Sequence, residues 1–170
     1  MCYNSAYPVK FLFCLCKNFA HEVIPYWFRL GSAATSSGIG RIVKRQDFER
    51  LVVEAMAALP AEFREKLNNV DIVVEDRPNQ ATMRAAGVRH PAQLLGLYQG
   101  IPQTQRTHRY GLVLPDKISL YQIAIERQGQ TPQRIRALVY HVLYHEIAHH
   151  FGLDDSQLAD MHVPKHEWHK

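Results

Sequence analysis

The chain has 170 residues, 46% of them apolar, which suits one domain with a single buried core. Its formal charge of +4 is local: residues 1–45 hold six Lys/Arg against Glu22 alone, whereas residues 46–170 hold fourteen against fifteen Asp/Glu. The domain itself therefore offers no electrostatic case for nucleic acid.

Residues 1–42 read as an N-terminal extension. Eight of seventeen aromatics fall between Tyr3 and Phe28, and GSAATSSGIG at 31–40 has the composition of a flexible linker. Cys2, Cys14 and Cys16 all lie here, so no disulfide framework is available downstream. The run FLFCLC at 11–16 is too short for a membrane span and lacks the apolar region of a secretory signal, so no integral membrane segment and a cytoplasmic location are expected. The extension reads as a mis-called start or an unordered tail. A membrane-surface or partner-binding segment is the functional rival, and a Cys14 or Cys16 thiolate closing a metal position is a third reading.

The domain is expected over 43–160. In QDFERLVVEAMAAL, Phe48, Leu51, Val52, Ala55 and Leu59 repeat at helical spacing, and Pro60 ends that helix and can open a second, short one. VDIVVED at 70–76 is β-branched and bounded by turn residues, so it reads as a strand. Residues 94–99 and 117–125 also read as strands, the latter carrying Ile118, Leu120, Ile123 and Ile125. Thr131 is placed to N-cap a helix with Pro132 at its first position, running to about Phe151. Residues 161–170, with His162, His166 and His169 around Pro164, read as a solvated tail.

HEIAHHFGLDD at 145–155 carries the chemistry. On a helix His145 and His149 project from one face about 6 Å apart along the axis, close enough to share one ion. Glu146 can then reach a water on that ion. Gly152 can adopt the left-handed conformation that ends a helix and brings Asp155 back as a third ligand. Three N/O ligands with an adjacent carboxylate leave a position open, which points to catalysis and away from a closed structural site. Chance yields this longer pattern on the order of once in ten thousand such chains. His141 is about 12 Å from His149 on a straight helix, too far for both to hold one zinc, and reads as a packing or ligand-supporting residue. His150 points about 100° away from the ligand stripe and reads as a surface or core-edge residue.

With LLGLYQGIP at 94–102 and LPDKISLY at 114–121, this motif resembles the small bacterial zincin-like metallopeptidases, often called minimal zincins, from about Val43 to Asp160. The resemblance implies a compact α+β domain, a small mixed sheet packed on a central HExxH helix, with zinc on His145, His149 and Asp155 and Glu146 as base. Only fifteen residues follow Asp155, so the methionine turn of metzincins has just Met161 as a candidate, which reads as a packing residue. Asp as third ligand lowers the site charge from about +2 to +1, weakening the pull on a bound water unless Glu146 compensates. Snapalysin-like proteases also use Asp there.

The expected function is zinc-dependent hydrolysis of a peptide or protein substrate. The alternatives are a zinc domain kept for folding or peptide binding without turnover, and a peptidase tethered to a membrane or partner through its extension. Tyr98, His108, Arg109, Tyr121 and His162 are equal candidates for stabilising the oxyanion. An extended substrate is expected to add beside the 117–125 segment.

Overall fold

The computed structural model describes residues 10–12, 41–106 and 114–160. The three cysteines, the linker at 31–40, His108, Arg109, Met161 and the C-terminal histidines lie outside the described residues. In chain order the elements are β1 (Lys10–Leu12), α1 (Arg45–Ala58), α2 (Ala61–Lys66), β2 (Val70–Glu75), α3 (Gln80–Ala85), β3 (Gly96–Gly100), β4 (Asp116–Tyr121), α4 (Gln122–Gly129), α5 (Pro132–His150) and α6 (Asp155–Asp160). Short 3-10 turns at Pro91–Gln93 and Gln103–Gln105 flank β3.

The fold is α+β, with a mixed sheet in the order β1-β3-β4-β2. Interior β4 pairs parallel to β2, from Val70↔Asp116 to Glu75↔Tyr121, and antiparallel to β3, from Gly96↔Leu120 to Gln99↔Lys117. The other edge of β3 carries β1, antiparallel, with Lys10 opposite Gly100 and Leu12 opposite Tyr98. α5 lies against β3 and β4, with α1 and α4 on its flanks.

The core is where these layers meet. Phe48, Val52 and Ala55 make one buried stripe of α1, continued by Leu59 before Pro60 closes the helix. They join Leu97, Ile118 and Leu120 of the sheet, Ile125 of α4, and Ile135, Val139 and Leu143 of α5. Each fully buried Leu, Ile or Phe contributes about 1.5–3 kcal/mol, whereas an exposed ion pair such as Arg41–Asp76 contributes about 0–1 kcal/mol. Apolar contact, and not surface charge, therefore holds α5 on the sheet.

Two expectations are corrected. The strand expected over 117–125 stops at Tyr121, and Gln122–Gly129 is helical. Buried Gln122 donates its side-chain amide to the Val43 carbonyl at 2.9 Å and to Glu126 Oε1, one turn ahead, at 2.8 Å. Those bonds are made only once α4 forms. The apolar alternation of Ile123 and Ile125 is also compatible with a helix flank, and packing against α5 decides it. A substrate strand cannot add beside this segment either, because β4 is hydrogen-bonded on both edges. Glu126 also accepts from the backbone N–H groups of Ile42 and Val43 at 3.3 and 3.2 Å, pinning the chain just before α1 to α4.

Candidate metal centre

α5 begins as the sequence predicts: Thr131 accepts a hydrogen bond from the Arg134 N–H and Pro132 occupies the first turn. Its far end is a Schellman turn. The Leu153 N–H donates to the Ala148 carbonyl at 3.1 Å and the Gly152 N–H to the His149 carbonyl at 2.9 Å, with Gly152 left-handed at φ +89°. Glycine is required there twice over, since a Cβ would also run into the Thr104 side chain.

This turn places three donor atoms together. His145 Nε2 and His149 Nε2 are 3.0 Å apart, with ring planes near perpendicular, and Asp155 Oδ1 lies 3.2 and 3.3 Å from them. Among the described residues this is the one His/Cys/Asp/Glu group able to hold a metal ion. The second nitrogen of His149, Nδ1, sits 2.8 Å from the Leu153 carbonyl. A carbonyl only accepts, so this contact calls for the proton on Nδ1 and leaves Nε2 as the nitrogen facing His145 and Asp155. Burial, and then the neighbouring His149, lowers the His145 pKa, favouring the neutral ring that a cation needs. His149 is fully buried, while the Asp155 side chain is 57% exposed, so the group opens to solvent on the Asp155 side.

Asp154 is occupied differently. Its Oδ1 accepts from the Gln157 N–H at 2.9 Å and the Ser156 hydroxyl at 2.6 Å, and Gln157 Oε1 accepts from the Asp154 N–H at 2.9 Å. That reciprocal cap starts α6 and presents Asp155, its first residue, to the histidines. The same two side-chain and backbone donors hold the Asp154 carboxyl below the usual range.

Glu146 is fully buried against β3. A Cβ at Gly96 would come within 2.8 Å of Glu146 Oε1 and 2.6 Å of Val142 Cγ1, so only glycine leaves the carboxylate its place. Gly96 lies far in sequence from the HEIAHHFGLDD motif that marks the site. Its only signal is a glycine inside an otherwise apolar strand, which marks a close approach. Tyr121 is close enough to feel Glu146: burial first, then Glu75 and more weakly Glu146, push its phenol up to about 12.

His150 is a correction. Expected at the surface or the core edge, it is fully buried, because that side of α5 faces β3 and the start of β4. Its ring meets Tyr98 edge-on at 5.7 Å, and its Nδ1 lies 3.0 Å from Asp116 Oδ2. His141 stays outside the donor group, near Tyr140 at 6.0 Å, with its pKa lowered by burial. Of the oxyanion candidates, Tyr98 is buried and its hydroxyl donates a hydrogen bond to Asp116 at 2.7 Å, and Tyr121 is also buried.

No helix among the described residues is long and apolar enough to cross a membrane. Residues 67–164 match the family model for zincin-like metallopeptidases. No curated protein matches the chain.

Proposed function

The chain belongs to the zincin-like metallopeptidases, and from that membership we propose that it hydrolyses peptide bonds, with His145, His149 and Asp155 holding a zinc ion and Glu146 acting as general base. The observation that carries the reading is the spacing of the three donors. A tetrahedral ion about 2.0–2.1 Å from each ligand sets neighbouring ligands about 3.3 Å apart, and the separations here are 3.0, 3.2 and 3.3 Å. The proton on His149 Nδ1 supports it, since that leaves Nε2 to the metal.

When bound, zinc acidifies a water and polarises the carbonyl of the scissile bond. Glu146 moves the proton: its carboxylate takes it from the attacking water and returns it to the leaving amine nitrogen. Burial against Gly96 holds that carboxylate in one orientation and keeps bulk water from competing for it. Asp155 contributes a negative charge where a histidine would be neutral, so more of the activation falls on Glu146.

The test is Glu146→Gln, which keeps size and hydrogen bonding but removes the base. It should fold, hold one zinc per chain, and lose about 10²- to 10⁴-fold in cleavage of a mixed peptide library. Equal cleavage by wild type and variant at equal zinc content would sink the peptidase reading and leave a zinc domain without turnover.

A further inference from the structure

A second polar cluster, which the proposed chemistry does not use, sits under the last turn of α5. Its centre is Asp116, 4% exposed at the start of β4. Asp116 Oδ2 accepts from the Tyr98 hydroxyl at 2.7 Å, from Arg106 Nη2 at 2.5 Å and from His150 Nδ1 at 3.0 Å. Oδ1 accepts from the Ile101 N–H at 3.3 Å. His150 Nδ1 has Asp116 Oδ2 at 3.0 Å and Arg106 Nη2 at 3.3 Å; with its proton on the side of the nearer carboxylate, Nε2 accepts from the Gln103 side-chain amide at 3.0 Å. The same amide reaches the Lys66 carbonyl at 2.9 Å, and Arg106 Nε donates to the Ile101 carbonyl at 3.0 Å.

Burying a carboxylate is costly unless donors surround it, and here they come from β3, the 101–106 turn and α5 together. The cluster therefore clips the 101–106 turn onto the end of α5. That turn also sets Thr104 against Gly152, the residue at which the chain leaves the helix. Three residues later comes Asp155, on a six-residue helix anchored by buried Leu158.

We propose that Asp116, Arg106 and Gln103 are positioning residues for the metal centre: acting through His150 and the Thr104–Gly152 contact, they hold the exit turn so that Asp155 meets His145 and His149. The inference rests on the reading of those three residues as ligands. Metal–ligand distances tolerate only about ±0.2 Å, so a small relaxation of the exit turn removes Asp155 from the ion. Residues that orient ligands typically carry about 10- to 100-fold of metal affinity.

Asp116→Asn and Gln103→Ala test this on the full chain. Zinc affinity is measured by chelator competition, and the visible spectrum of the cobalt(II)-loaded protein reports ligand geometry. Ile135→Ala, at the opposite end of α5, is the control for destabilisation alone. Both cluster variants should bind zinc about 10- to 100-fold more weakly with an altered cobalt spectrum, while Ile135→Ala unfolds more readily yet keeps affinity and spectrum. Should Asp116→Asn not fold, Gln103→Ala decides, because it removes one amide from a half-buried turn. Wild-type affinity and spectrum in the folded cluster variants overturn the inference and leave the ligand assignment standing. Failure of the wild type to bind zinc overturns both.

Discussion

His149 Nδ1 stands 2.8 Å from the carbonyl oxygen of Leu153, four residues ahead and beyond the end of the helix. One hydrogen bond thus ties the ring's orientation and tautomer to the exit turn that Gly152 makes. Any change that disturbs the turn also disturbs the ring.

Gly152→Ala should therefore act on stability and metal together. Its backbone is left-handed and its Cβ would meet Thr104, so the loss of stability should exceed the about 1 kcal/mol of the conformational penalty alone. A lowered denaturation midpoint together with weaker zinc binding is expected. An unchanged midpoint would contradict the strain argument.

Asp155→Ala and Asp154→Asn separate ligand from cap. Asn caps helices about as well as Asp, so Asp154→Asn preserves the start of α6 and should keep one zinc per chain. Asp155→Ala should lose most of its zinc under the same dialysis. Elemental analysis giving the reverse order would exclude Asp155 as the third ligand.

Gly96→Ala should separate the base from the metal. The atoms nearest the added methyl belong to Val142 and Glu146, so peptide cleavage should fall by at least about tenfold while zinc content stays at wild-type level. Zinc loss equal to the activity loss would instead mean that α5 itself has been displaced.

Metal-free protein should lose stability as the pH drops. Burial lowers His141, and burial with the Arg106 charge lowers His150 against the pull of Asp116. The unfolded chain, with imidazoles near about 6.5, binds protons first, so this stability is fully present above that pH and is lost as pH falls through the lowered folded values. Urea midpoints should decline from pH 7.5 to 5.5, less steeply in His141→Phe. A flat wild-type profile counts against it.

Removing residues 1–40 uncovers the outer edge of β3, where Lys10–Leu12 pair, and keeps the Ile42 and Val43 contacts with Glu126. Extended peptides bind such edges through main-chain hydrogen bonds, so KM for an extended substrate should fall with kcat little changed. An identical KM would show that the N-terminal strand does not compete with substrate.

The sequence by itself determined the local features: the start of α5 at Thr131, the four-residue spacing of His145 and His149, the left-handed glycine and the register of Asp155. All follow from helix and cap geometry within one continuous stretch of chain, Thr131 to Asp155. Tertiary structure decided what depends on partners distant in the chain. Gln122–Gly129 is helical because it packs against α5, with the Gln122 amide reaching the distant Val43 carbonyl, and β4 is closed to a substrate strand because β2 and β3 hold both its edges. His150 is buried because Asp116, Tyr98 and Gln103 converge on it from two strands and a turn, and Gly96 matters only because Glu146 is brought against it. Periodicity states which way a side chain points along its own helix; whether water or a carboxylate waits there is set by what folds against it.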